Sequence, residues 1–157
     1  MYDMSKNKKF LDYNSLIRDN LLNVVKHALG KTSDYGLTDG HHFYITFITN
    51  FKENVLPSYL VKDYPDNMMI VIENEFWNLK VFDSYFLVDL KFKGKIETLK
   101  IMFNSLISFV DPSVSFNLNL DLIGIKKPVS KTIKIQQKTK ARLENKSNII
   151  YLKPSKK

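Results

Sequence analysis

Apolar and polar residues alternate along several stretches of this chain in the two-residue period of half-buried strands. From Gly40 to Phe47, Phe43, Ile45 and Phe47 share one face, while His42, Tyr44 and Thr46 share the other. From Tyr85 to Phe92, Phe86, Val88, Leu90 and Phe92 alternate with Leu87, Asp89 and Lys91. The cleanest alternation runs through Val114, Phe116, Leu118, Leu120 and Leu122. Met68 to Ile72, Phe76 to Phe82 and Thr98 to Phe103 read as further strands, punctuated by turn residues at Tyr64–Asn67, Glu73–Asn74 and Asp83–Ser84 and by a hairpin signal at Lys93-Gly94-Lys95. A helical period appears once at length. Leu16, Ile17, Leu21, Val24, Val25, Ala28 and Leu29 predict a helix capped by Asn14 or Ser15 and closed by Gly30. One helical turn is expected at Pro57 to Val61, and a short helix at Asn104 to Val110 stopped by Asp111-Pro112. Many short strands with little helix between them predict a mainly β, α+β domain: a small antiparallel barrel or sandwich with the first helix packed on it.

Charge changes this picture only at the end of the chain. The 157 residues carry a net charge of +8. Eleven of the Lys/Arg but a single acid, Glu144, lie from Lys126 onward, so the preceding residues are slightly acidic. A folded nucleic-acid domain more usually carries its own basic face. The segment from Ser130 to Lys146 is polar, basic and poor in large apolar residues, the composition of a chain that cannot bury enough to order itself. An apolar island follows it, Ile149-Ile150-Tyr151-Leu152, which reads as a docking peptide on a solvated arm or, alternatively, as an extra edge strand folded back on the domain.

Little in the chain suggests catalysis. It has no cysteine, which excludes disulfides, thiolate metal sites and a cysteine nucleophile. Adjacent strand histidines such as His41 and His42 point to opposite faces and make a poor metal pair. Asp63, Asp66, Glu73, Glu75 and Asp83 fall in or beside turns, where acids commonly serve as turn formers. No phosphate loop, nucleophile elbow or zinc-protease motif occurs, and no cofactor is implied. With no apolar run near 18 residues and no apolar leader, the expectation is a cytoplasmic protein without a membrane partner. Phe76 and Trp77, adjacent in a strand, cannot both face inward, so one of them should meet a groove or interface.

Four segments, Gly40-His41-His42-Phe43-Tyr44-Ile45-Thr46-Phe47, Tyr64-Pro65-Asp66-Asn67-Met68-Met69-Ile70-Val71-Ile72, Glu75-Phe76-Trp77-Asn78-Leu79 and Phe109-Val110-Asp111-Pro112-Ser113-Val114-Ser115-Phe116, resemble the stringent starvation protein B (SspB) family in its alphaproteobacterial form. Their order and spacing match over about residues 13 to 122. The resemblance implies an adaptor of the ClpXP protease with no enzymatic activity. Such an adaptor holds the ssrA degradation tag in a hydrophobic groove on an Sm-like, SH3-like barrel, dimerises through its N-terminal helix and docks on the N-terminal domain of ClpX through its C-terminal tail. By position it places the tag groove at Phe76, Trp77, Asn78, Leu79, Leu90 and Phe92, the ClpX-docking segment at Ile149, Ile150, Tyr151 and Leu152, and the homodimer helix at Leu16, Leu21, Val24, Val25 and Ala28. The chain then divides into a flexible N-terminus (1–12), a tag-binding domain (13–125), a flexible basic linker (126–148) and a docking tail (149–157).

The chain departs from the family pattern at Gly36-Leu37-Thr38-Asp39-Gly40 and Lys93-Gly94-Lys95-Ile96-Glu97, where turns differ, and at Pro154 and the lysine-rich tail. The alternative reading is an RNA-binding Sm-like module with a basic tail, whose mark would be aromatics interleaved with Lys/Arg on the barrel face. A small hydrolase would need a clustered nucleophile and base.

Overall fold

A helix with two faces opens the domain, and everything else is arranged against one of them. The computed structural model describes residues 11–38 and 40–120 and the backbone of Ile149 and Ile150. The expected linker, the far end of the last alternating segment at Leu122, and Tyr151 and Leu152 of the tail lie outside the described residues. Helix α1 spans Tyr13–Tyr35. Its cap is Asp12, whose carboxylate accepts from the Ser15 amide at 3.3 Å and the Ser15 hydroxyl at 2.9 Å, so Ser15 is the partner of the cap and not the cap itself. The helix also runs through Gly30 and ends at Gly36, which takes a φ of 78°. A helical glycine costs about 1 kcal/mol relative to alanine. Tertiary contacts beyond it outweigh that cost: Thr32 is buried and Ser33 donates to the Leu79 carbonyl at 2.6 Å.

Leu22, Val25, Leu29 and Thr32 form the buried face of α1, while Tyr13, Leu16 and Ile17 are exposed away from it and Val24 is exposed on its flank. Arg18 belongs to the body-facing side, not to the polar one. Its guanidinium donates to the carbonyls of Leu120 at 2.8 Å, Asn104 at 3.0 Å and Leu106 at 3.2 Å, fastening the first helix to the end of the β body.

The strands are β1 (Phe43–Ile48), β2 (Asn67–Ile72), β3 (Phe76–Val81), β4 (Tyr85–Phe92), β5 (Lys95–Met102), β6 (Leu106–Asp111), β7 (Phe116–Asn119) and β8 (Ile149–Ile150), with a short helix α2 (Ser58–Asp63) after β1. They form two antiparallel sheets, β7-β6-β1-β2-β8 and β3-β4-β5. The expected barrel is not formed, because neither sheet closes on itself. The chain changes sheet at two places, the turn Glu73–Glu75 between β2 and β3 and the 3-10 turn Phe103–Ser105 between β5 and β6. At both, consecutive strands fail to pair, and the two sheets share one core. One buried cluster joins Leu22 and Leu29 of α1, Phe47 and Ile70 of the larger sheet, and Phe86, Leu90 and Ile101 of the smaller one.

Several elements match the sequence pattern closely. Phe43, Ile45 and Phe47 all face the core, β4 spans Tyr85–Phe92 with strict alternation, and Lys93 (φ 50°) and Gly94 (φ 80°) make the two-residue turn that Phe92 and Lys95 close. The expected helix at Asn104 to Val110 is instead strand β6, flanked by β1 and β7 and buried on both faces. A short apolar run buried on both sides has neither period, which is why helix and strand look alike there. The last alternating segment supplies only β7, because Pro112–Val114 is a 3-10 turn and Ser115 follows it in the left-handed region. No helix among the described residues is long and apolar enough to cross a membrane.

Candidate functional site

Strand β3 is an edge strand, and its middle is bent on purpose. Trp77 pairs with Asp89 and Lys80 with Leu87, so Asn78 and Leu79 together face the single residue Val88 across β4, which is a β-bulge. Asn78 takes a φ of 52°, a conformation that asparagine tolerates better than most residues. Its amide donates to Asp89 Oδ2 at 2.7 Å, and Thr98 on β5 donates to Asp89 Oδ1, also at 2.7 Å. The α1 hydroxyl of Ser33 holds the Leu79 carbonyl from the other side. A bulge fixed from two directions breaks the alternation, so Trp77 and Asn78 both face outward in succession.

The structure therefore separates the six residues assigned to the groove. Trp77, 40% exposed, and Asn78 stand on the outer surface, and Phe76 is half buried against the core. Leu79, Leu90 and Phe92 face inward, with Leu90 fully buried and Phe92 3% exposed. The last two stabilise the sheet that carries Trp77 and are not part of its outer surface. Sequence reasoning missed Ser33, Asp89 and Thr98, which shape the bulge. The one visible signal was Asp89, the single acid on β4.

Around this strand the electrostatics are mild. Lys91 lies 3.5 Å from Glu75, both exposed. Tyr59 donates to Glu97 at 3.2 Å, and its pKa is raised by burial and by that carboxylate. The Tyr44 phenol is likewise raised by burial, with Glu73 of the β2–β3 turn adding to the effect.

The histidine segment meets the Asp-Pro-Ser-Val segment in space although 70 residues separate them in the chain. His41 donates from Nδ1 to Asp111 Oδ2 at 2.6 Å, and the Ser113 amide (3.1 Å) and hydroxyl donate to Asp111 Oδ1. Ser113 Oγ also approaches the same Nδ1 at 3.2 Å. A hydrolytic triad needs the serine on the opposite ring nitrogen from the acid. Here both meet one nitrogen, so the cluster is a clasp that ties the loop before β1 to the end of β6. It stands at the rim of a cavity of about 330 Å³ between α1 and the larger sheet, walled by Val24, Ala28, Leu37, Phe43, Phe109 and Phe116. No group of metal-ligating side chains occurs among the described residues.

Burial alone would raise the Asp111 pKa, but the hydrogen bonds from Ser113 and His41 outweigh it and hold the carboxyl below its usual value. A carboxyl with a lowered folded-state pKa contributes stability above its unfolded pKa, and that contribution is lost as pH falls through the folded value. Asp111→Asn is thus expected to lower stability by about 1–3 kcal/mol at neutral pH. Urea unfolding over a pH series should show the gap between the two proteins closing on the acid side, below the normal carboxylate range. A gap independent of pH would refute an ionised clasp.

An exposed tryptophan on a rigid, bulged edge strand, with the polar clusters satisfied internally, is the equipment of a module that binds another chain. The chain belongs to the stringent starvation protein B family, whose sequence pattern matches residues 15–151. Members of this family are adaptors, not enzymes. A comparison with individually curated proteins found no match.

Proposed function

We propose that this protein is a proteolysis adaptor that binds ssrA-type degradation tags beside Trp77 and delivers the tagged polypeptide to ClpXP through residues 149–152. The family match over residues 15–151 carries the reading. The outward Trp77 supports it, since an exposed aromatic on a braced strand offers an extended peptide a side-chain anchor. The adaptor performs no covalent chemistry. It makes the second encounter intramolecular, which holds substrate at high effective concentration near the unfoldase.

A homodimer through α1 fits the same reading. Tyr13, Leu16 and Ile17 are exposed apolar residues away from the buried face, with Val24 exposed on the helix flank. Leu21 and Ala28 pack partly on the monomer's own core and Val25 lies wholly within it, so the contact with a second copy rests on those exposed residues.

Fluorescence anisotropy of a labelled ssrA-tag peptide against the full chain and a chain ending at Ile125, at two salt concentrations, tests the proposal. Saturable, largely salt-insensitive binding that survives removal of the tail is expected. No peptide binding by either, with labelled RNA captured only by the full chain, would replace it with the nucleic-acid reading.

A further inference from the structure

With β8 set aside, the two sheets of the described residues have four edge strands, and three of them are blunted. β3 carries the bulge at Asn78 and a charge at Lys80. β5 bears Lys95, Glu97 and Lys100, and Val55 bridges to it at Lys100. β7 is a four-residue strand, Phe-Asn-Leu-Asn. The remaining edge, β2, reads Asn-Met-Met-Ile-Val-Ile, with neither charge nor proline. A flat apolar edge of this kind is a ready template for another strand. Its outward face is apolar as well: Met69 and Val71 are each only 7% exposed and form a separate cluster, with Tyr44 packed against them among the described residues.

The strand that takes this edge is β8, the first two residues of the apolar island near the end of the chain. Ile150 pairs with Met69 and Ile149 with Ile70, antiparallel. Two residue pairs make a weak contact, and a short strand of this kind forms only with the help of its tether. The same two residues begin the segment assigned to ClpX docking, so one segment has two mutually exclusive partners. In the chain, β2 is followed through the turn at 73–75 by β3 and Trp77, which belong to the smaller sheet.

We propose that the β2 edge is a strand-addition site whose resident occupant is the chain's own Ile149–Ile150, and that an extended tag peptide displaces it. This rests on the adaptor reading above. Loading a substrate then frees Ile149 and Ile150, and an empty adaptor keeps these two residues paired with β2. A competitor that fills the edge most of the time lowers the apparent affinity for peptide by the fraction of molecules left open.

The test compares the full chain with its Ile149→Pro/Ile150→Pro variant, since proline cannot donate to a strand ladder. Hydrogen exchange at the β2 amides that point away from β1 is expected to be slow in the native chain and fast in the variant. Saturating ssrA-tag peptide should restore the slow exchange. If the edge is closed in 70–90% of molecules, the variant should bind the peptide about three- to tenfold more tightly. Equal β2 exchange in the two proteins, with tag binding intact, would overturn the latch and leave the adaptor reading standing. Fast exchange in the variant, with equal tag affinity in both, would overturn the competition by placing tag and tail on separate surfaces. Proline-dependent exchange without tag binding by either protein would support the strand pairing and overturn the adaptor function.

Discussion

Trp77→Ala is expected to weaken binding of an ssrA-tag peptide by about thirtyfold or more while leaving the fold intact. Truncating an aromatic anchor at the centre of a contact typically costs at least about 2 kcal/mol, which corresponds to that factor. Trp77 has the features of such an anchor. It is 40% exposed, so the free protein leaves a large apolar surface in water that a peptide could cover. Its backbone is held by the neighbouring bulge, where Asn78 bonds to Asp89 and Asp89 to Thr98, so little conformational freedom remains to be lost on binding. For the same reason the substitution should change unfolding stability by less than about 1 kcal/mol, because surface replacements away from caps, cores and buried networks have small effects. Leu90→Ala provides the contrast. That residue is fully buried, so its truncation should lower stability by about 2–5 kcal/mol. Peptide titration of the folded protein, paired with a urea melt of each variant, separates the two. A Trp77→Ala affinity within threefold of the native value would place the peptide elsewhere on the surface.

How far the sequence foretold this arrangement depends on whether a residue's environment was set locally. The alternation in β4 could be read because that strand buries one face only, that in β1 because Tyr44 and Thr46 put polar groups opposite its apolar core face, and the Lys93–Gly94 hairpin because a two-residue turn with positive φ needs residues that adopt it. β6 was misread because burial on both faces erases the period. The end of α1 was misplaced because Thr32 and Ser33 continue the helix through contacts that local propensity does not contain. The site shows the same division. The requirement that Phe76 and Trp77 point apart was legible, but which one faces out was decided by a bulge whose supports, Ser33, Asp89 and Thr98, come from three other elements. The assignment of Leu90 and Phe92 to the groove set aside their own alternation, which groups them with Phe86 and Val88 on the buried face. The histidine and Asp-Pro-Ser-Val segments could be recognised as distinctive, whereas their union in one clasp between His41 and Asp111 is visible only once β1 and β6 lie side by side.

Phe86→Ala should produce the largest loss of stability in the domain, about 3–5 kcal/mol. The ring is fully buried on the central strand of the smaller sheet and lies 5.5 Å from the ring of Phe103, which belongs to the turn where the chain passes to the larger sheet. The Lys26 ammonium of α1 sits 5.3 Å above that second ring, so helix, turn and sheet converge on the aromatic pair. Removing the ring leaves a cavity that this junction can fill only by moving both sheets, because close-packed interiors relax only partly around a missing side chain. A domain of this size is stable by about 5–15 kcal/mol, so the variant would stand near its folding threshold, with a melting temperature lower by roughly 12–30 °C. The whole body should respond together. Phe47 and Ile70 of the larger sheet share one buried cluster with Phe86, so amides of β1 and β4 should lose exchange protection by the same factor. Loss confined to β3, β4 and β5 would mean that the two sheets unfold separately. In that case the smaller sheet, which carries Trp77, could open for a ligand while α1 and the larger sheet stayed folded.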